Sequence, residues 1–308
     1  MQTEDLSISQ TEDSNIMQTE DLNPKSVEID ALSINGIVEA MEGENAAVFS
    51  AVRAARHSIS KAVEDVVAAI RAGGSLVYVG AGTSGRLGVL DASEMPPTFN
   101  VAPGLVRAIM AGGQKAVTTS VEGAEDCVEN VDEAIDSVTE KDVLIGITAS
   151  GTACFVLESL RKAKLRGTRT WLLTCNDVTY DFPDGTIYLP TGPEIVAGST
   201  RLKAGTATKI ALNTISTAAM IRLGRVYCGF MVDVVPSNDK LKRRAIRIIK
   251  EIAGVDDRLA VKLLAESGGN AKTAILMHLR GATREQALAR LDLSGGSLRE
   301  ALALGRKP

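Results

Sequence analysis

Acid–base chemistry in this chain falls to carboxylates. Its only histidines are His57, inside a helical pattern, and His278, near the C-terminus, and both read as structural. Cys127, Cys154, Cys175 and Cys228 are scattered without C-x-x-C spacing. They read as buried thiols of a reducing compartment, with no metal site and no disulfide frame. Two acidic clusters stand out. Asp91-Ala92-Ser93-Glu94-Met95-Pro96-Pro97 closes one expected helix, and Val121-Glu122-Gly123-Ala124-Glu125-Asp126 opens another. Acidic residues in a first helical turn are ordinary, so Glu125 by itself carries no chemical reading. Glu94 is odder: it falls at an expected helix C-terminus, directly before two prolines that stop the helix. The dipole disfavours a negative charge there, so its carboxyl should keep its proton, as a general acid must.

Hydroxyls and glycines supply the second chemistry. An apolar, partly β-branched run from Leu76 to Val79 leads into Gly80-Ala81-Gly82-Thr83-Ser84-Gly85-Arg86, and a helix-permitting segment continues to Ser93. This is strand, tight loop, helix. The first N–H groups of a helix have no intrahelical partner, and the helix dipole favours an anion beside them. With Thr83 and Ser84 adding hydroxyl donors, the loop is built for a phosphate. Gly80, Gly82 and Gly85 spell the dinucleotide fingerprint, but the next strand, 105–110, ends in Ala111-Gly112-Gly113 and not in the acidic residue that would hold a ribose. The loop has no Gly-Lys-Ser/Thr, which excludes a nucleotide P-loop. A sugar phosphate, a dinucleotide and a plain glycine turn therefore stay open at this point.

Two further turns resemble the first. Ala149-Ser150-Gly151-Thr152 follows a strand at 143–148 and opens a helix through Lys164. One hydroxyl-rich turn is commonly just an N-cap, but two at strand ends point to a shared phosphate or sugar site. Gly198 to Thr206 precedes an apolar helix over 207–223, which Ser199 or Thr200 can cap.

The elements that position these residues alternate. A helix is expected over 43–72, with Phe49, Val52, Ile59, Val63, Val66 and Ile70 on one stripe, and Gly73-Gly74 ends it. Strands are expected at 76–79, 105–110, 143–148, 170–174 and 186–189, mostly with helices between them. That pattern implies an α/β fold with a parallel sheet, helices on both faces and ligands beyond the carboxyl ends of the strands. The 308 residues suit one large or two small domains, and 45% hydrophobic residues suffice for a full core. At 3% aromatics and a net charge of −4, no stacking platform and no general attraction to nucleic acid or anionic membrane is expected. No apolar run reaches the length of a membrane span and no signal peptide is evident, so the reading is cytoplasmic.

The two ends differ from the middle. Met-Gln-Thr-Glu-Asp-Leu stands at 1–6 and again at 17–22, and Gln-Thr-Glu-Asp stands at 10–13. With acidic residues at Glu4, Asp5, Glu12, Asp13, Glu20 and Asp21 and no basic one, 1–22 is expected to be a disordered tail, and Met17 a possible second start. At the other end, 240–250 carries Lys240, Lys242, Arg243, Arg244, Arg247 and Lys250. Leu241, Ala245, Ile248, Ile249 and Ile252 form an apolar face opposite them, so this is a packed helix with a solvated basic side, not a nucleic-acid site. Short helices at 256–267, 270–279 and 283–291 complete a small bundle.

Together, the run from Gly80 to Thr98, Ala111-Gly112-Gly113, the Val121–Asp126 cluster, the segment Gly198 to Lys209 and the segment Met231 to Leu241 resemble the N-acetylmuramic acid 6-phosphate etherases. The resemblance runs from about Asn23 to the C-terminus. It implies a three-layer SIS (sugar isomerase) domain over 23–240, a helical subdomain over 241–308 and a homodimer, since SIS domains commonly pair and share active sites. The family removes D-lactate from carbon 3 of its sugar phosphate by elimination and then hydration, in cell-wall amino sugar recycling, with no redox cofactor or metal. The resemblance makes Glu94 the proton donor to the lactyl oxygen and selects Glu125, not Glu122, as the second acid–base residue. Candidate substrate and phosphate ligands are Gly82, Thr83, Ser84, Gly85, Ser150, Gly151, Thr152, Ser199, Thr200 and Lys203. The family's second loop commonly reads Ser-Gly-Arg-Thr-Pro; here it is Ser150-Gly151-Thr152-Ala153-Cys154, with Thr152 as a replacement donor, and Met95 stands where a cysteine is common. The alternative is a non-catalytic sugar-phosphate sensor like the animal glucokinase regulatory protein. That relative shares the phosphate loop but lacks the Asp-Ala-Ser-Glu-x-Pro-Pro run.

Overall fold

A five-stranded parallel sheet lies at the centre of the structure, a computed structural model that describes residues 18–305. Its strands are β1 (Leu76–Gly80), β2 (Val106–Met110), β3 (Val143–Ile147), β4 (Arg169–Thr174) and β5 (Gly185–Tyr188), in the order β2-β1-β3-β4-β5. Ahead of the sheet come α1 (Ile34–Glu44), α2 (Ala46–Ala54) and α3 (Arg56–Arg71). The crossovers are α4 (Gly82–Phe99), α5 (Gly113–Thr118) with α6 (Val131–Ala134), and α7 (Cys154–Leu165), and α8 (Lys203–Arg222) follows β5. All five expected strands are present, each within one residue at either end.

Successive strand side chains point to opposite faces, and both faces here are covered. Leu76 and Tyr78 of β1 join one core with Val143, Ile145, Trp171 and Leu173, under α3, α4 and α8. Val77 and Val79 join the other with Leu144 and Leu172, under α6 and α7. Burial on both sides is why these strands read as continuous apolar runs and not as alternating ones.

Several expectations change. The helix over 43–72 is broken at Asn45 and again at Ala55, so that it spans the end of α1, α2 and α3, and Phe49 of its stripe is 67% exposed. Of the four cysteines only Cys175 is buried; burial pushes its thiol up to about 12, while Cys154 and Cys228 are exposed. Pro96 and Pro97 do not stop α4. The helix runs on to Phe99; Asn100 donates its N–H to the Pro96 carbonyl (2.9 Å) and its left-handed backbone (φ 50°) then turns the chain away. Burial of Met95 and Phe99 in the core offsets the two missing helix donors. Glu94 is thus five residues from the end of α4, outside the last turn where a dipole acts.

Residues 121–126 are not helical either: Gly123 has φ +69° and the chain turns until α6. The tail expectation fails for residues 18–22, which are bonded to the sheet's carboxyl end; residues 1–17 lie outside the described part. Beyond α8, the hairpin β6 (Val226–Tyr227) and β7 (Phe230–Met231) leads to α9 (Asp239–Ala253), α10 (Asp257–Glu266), α11 (Ala271–Arg280), α12 (Arg284–Leu293) and α13 (Leu298–Ala303). These form their own core, which takes in Val232 and Val234 ahead of residue 240. Ala245, Ile248 and Ile249 of α9 are buried in it. Among the described residues no helix is long and apolar enough to cross a membrane.

One buried carboxyl joins β1, α4 and α8. Asp91, 3% exposed, accepts hydrogen bonds from Tyr78 Oη (2.8 Å), Asn213 Nδ2 (2.7 Å) and Ser216 Oγ (3.1 Å). Burial, together with the Asp91 charge, pushes the Tyr78 hydroxyl well above its ordinary value, so it stays a donor. Asp91→Ala would take the acceptor from two buried donors and the half-buried Asn213 and should lower unfolding free energy by about 2–4 kcal/mol. Tyr78→Phe, which removes one donor, should cost about 1–2 kcal/mol. Urea denaturation of both variants checks the order.

Candidate functional site

Strand β1 ends at Gly80, and α4 starts almost on top of it. A Cβ on Gly80 would lie 2.7 Å from the Gly85 Cα, and one on Gly85 would lie 2.5 Å from the Gly80 oxygen. Only glycine at both places allows the helix end to sit flush on the strand. Gly82 takes φ +52°, and Ala81 at the N-cap offers no side-chain acceptor. The first-turn N–H groups of α4 therefore lack a side-chain cap, and Thr83 and Ser84 stand among them. Arg86, one turn on, fastens the far side of this loop by donating to the carbonyls of Val117 (3.1 Å) and Thr119 (3.4 Å).

The second loop lies beyond β3, the neighbour of β1 in the sheet. Its helix α7 also begins without a side-chain cap. Ser150 Oγ accepts from Thr152 N (3.2 Å) and Thr152 Oγ1 (3.0 Å) and is paired with Thr148 Oγ1 at 3.1 Å. Thr152 thus braces Ser150. Gly151 takes φ +82°, and its carbonyl accepts from Tyr180 Oη (2.9 Å). Glu125 is tied to the start of this helix, because Phe155 N donates to the Glu125 carbonyl (2.8 Å). Its side chain is exposed.

The third loop differs. Neither Ser199 nor Thr200 caps α8. The fully buried Glu194 does so, taking Lys203 N on Oε2 (3.1 Å) and Ala204 N on Oε1 (2.9 Å). A carboxylate already occupies this helix terminus. Thr200 and Thr83 still approach each other across Gly205: a Cβ there would be 3.2 Å from the Thr200 oxygen and 3.7 Å from Thr83 Cγ2. Lys203 is not presented to the phosphate loop. It is buried, and its ammonium bonds Glu44 Oε2 and the Pro193 carbonyl. Sequence reading missed Glu194 because its distance from α8 follows no local capping pattern.

Glu94 sits elsewhere. It is exposed, in a groove of about 250 Å³ between α4 and α8, with Leu87, Leu90, Asp91, Lys209, Leu212 and Asn213. Ten residues separate it from Ser84 on one helix, about 15 Å at 1.5 Å per residue. The structure gathers Gly82–Gly85, Ser150–Thr152, Glu125 and the Ser199–Thr200 turn at the sheet's carboxyl end, while Glu94 lines the groove between α4 and α8. Among the described residues no group of three or more His, Cys, Asp or Glu is arranged to hold a metal ion.

A parallel sheet with an uncapped helix terminus at β1 and a hydroxyl turn at the adjacent strand is the architecture of a sugar-phosphate SIS domain. Residues 58–164 match the family model described as the glucokinase regulatory protein N-terminal SIS domain. Over 284 residues the chain is 47% identical to an N-acetylmuramic acid 6-phosphate etherase of Geobacillus thermodenitrificans, covering 91% of this chain and 96% of that one. An etherase of Synechocystis sp. is 46% identical (91% and 93% covered), and one of Mycolicibacterium smegmatis 42% identical (92% and 96% covered). The chain belongs to the N-acetylmuramic acid 6-phosphate etherase family.

The Glu44–Lys203 pair makes this region pH-dependent. Burial alone would raise the Glu44 carboxyl, but hydrogen bonds from Lys203, Lys25 and Asn23 outweigh it and lower it from 4.5 to about 2. Because the folded value is the lower one, the pair's contribution is complete above about 4.5 and is lost as pH falls toward 2. The melting-temperature gap between the native chain and Glu44→Gln should therefore be widest at neutral pH and close across that window. A gap independent of pH would contradict the assignment.

Proposed function

We propose that this chain cleaves the D-lactyl ether of N-acetylmuramic acid 6-phosphate by elimination and hydration, giving N-acetylglucosamine 6-phosphate and D-lactate. It is a carbon–oxygen lyase. The carrying observation is the identity to named etherases across nine-tenths of the chain and nearly all of each relative. The regulatory-protein match reaches only residues 58–164, which favours the enzyme over the sensor reading.

The phosphate binds at the α4 N-terminus, with Thr83 and Ser84 donating, and the Ser150–Thr152 turn closes beside it. Elimination takes the carbon-2 proton and breaks the bond from carbon 3 to the lactyl oxygen, and that oxygen needs a proton as it leaves. Glu94 gives this proton. Glu125, tied to the second loop, takes the carbon-2 proton. Water then adds at carbon 3, and a proton returns to carbon 2. In a homodimer, Glu94 of one protomer serves the phosphate loop of its partner, a reading supported by the open groove that Glu94 lines. Exposed Leu90 (48%) in the same groove and Phe49 (67%) on α2 offer apolar surface for such a contact. The enzyme works in the cytoplasm, in recycling of cell-wall amino sugars.

Two inactive variants test the shared site. Glu94→Gln should cut lactate release by at least about 100-fold, the low end for a lost general acid. The double variant Ser84→Ala/Ser150→Ala should lose substrate affinity. Co-expressed, they should form mixed dimers with one intact site and recover about a quarter of native activity, the statistical share of such sites in random pairing. No recovery, despite mixed dimers shown by mass, would place Glu94 and the loop in one protomer.

A further inference from the structure

Residues 18–22 join two of the candidate substrate loops. We propose that Thr19 is a positioning residue of the substrate site, acting through the Asn176 side chain on the loop at 149–151. The proposal rests on the sugar-phosphate reading of that loop.

Asn176 follows β4 and is 2% exposed. Its Nδ2 donates to the carbonyls of Ala149 (3.3 Å) and Ser150 (3.2 Å) and to Thr19 Oγ1 (2.9 Å). Its Oδ1 accepts from Thr19 N (3.1 Å). Thr19 thus meets both ends of the amide, donor to acceptor and acceptor to donor. This double contact fixes which way the amide faces. Turned over, Oδ1 would confront two carbonyl oxygens and the loop would lose both bonds. The backbone of Asn176 is held separately by Thr174 Oγ1 (3.2 Å), so the side chain is the part that Thr19 controls.

The same segment reaches the third loop. The Thr19 carbonyl accepts from Gly198 N (3.0 Å), and Gln18 Oε1 accepts from Tyr188 Oη (3.1 Å). The Glu20 carboxylate lies over Gly198, where a Cβ would be 2.5 Å from its Oε2. Thr19 is fully buried, while Gln18, Glu20 and Leu22 are exposed, Leu22 at 64%. The segment therefore docks through polar bonds and adds no side chain to the sheet's apolar cores. Losing it should disturb the loops more than it disturbs the fold.

The hexapeptide at 17–22 also stands at 1–6, and its Gln-Thr-Glu-Asp part at 10–13, so Thr3 and Thr11 correspond to Thr19. The test uses the full chain with Thr3→Val/Thr11→Val as background, which leaves no equivalent threonine to substitute. In that background Thr19→Val, which removes the bond from Asn176 Nδ2 to Oγ1, should raise KM for N-acetylmuramic acid 6-phosphate about tenfold, the size of one lost buried hydrogen bond, with kcat nearly unchanged. Thr19→Ser in the same background should restore most of the loss, and the background alone should match the native chain. Amide hydrogen exchange over 149–152, measured without substrate, should quicken in the Thr19→Val variant only. That readout separates this proposal from the etherase reading, whose failure would appear as no lactate release by the native chain. Unchanged exchange in the loop, or a lowered melting temperature with unchanged KM and exchange, would overturn the positioning role.

Discussion

The close contact of Gly80 and Gly85 is the constraint on which the rest of the site depends. It seats the first turn of α4 directly on the end of β1, at a point where no side chain caps the helix. Backbone donors and the positive end of the helix dipole are left facing outward together. A side chain on either glycine would push helix and strand apart. Neighbouring features build on this placement: Arg86 braces the far side of the loop, Gly205 lets the start of α8 approach Thr83, and Asp91 fixes the helix axis against α8 and β1.

The helix starts at the sheet's carboxyl end differ in what occupies them. The starts of α4 and α7 have no side-chain cap, whereas α8 is capped by buried Glu194. The helix dipole favours an anion at the open start of α4, whereas the Glu125 carbonyl takes Phe155 N at the start of α7 and Glu194 fills the start of α8. Lys203, at the start of α8, is neutralised by Glu44. The proposed phosphate site therefore offers backbone N–H groups and hydroxyls. A point charge is less directional than these, so in that proposal the geometry of the loops orients the sugar.

The sheet was legible in the sequence because strands buried on both faces leave continuous apolar runs ended by glycine. The loops at β1 and β3 were legible for the same reason, since glycine and hydroxyl residues at strand ends are local signals. What could not be read depended on contacts distant in sequence. Pro96 and Pro97 signal a helix stop, yet core burial of Met95 and Phe99 carries α4 through them. Glu125 reads as a helix start, yet Gly123 turns the chain and Phe155 claims the Glu125 carbonyl. The acidic composition of 1–22 reads as a tail, yet Thr19 finds Asn176, 157 positions away. The resemblance to the etherases, carried by the run through Glu94, is what singled out the two carboxylates. Local pattern selects neither Glu125 over Glu122 nor a protomer for Glu94.

Elimination followed by hydration leaves a trace that direct displacement does not. A proton leaves carbon 2 and another returns from solvent in each turnover. Running the native enzyme on N-acetylmuramic acid 6-phosphate in deuterium oxide, with mass and NMR analysis of the sugar product, tests this directly. One deuterium is expected at carbon 2 of every N-acetylglucosamine 6-phosphate formed. Product that carries none, released along with D-lactate, would contradict it.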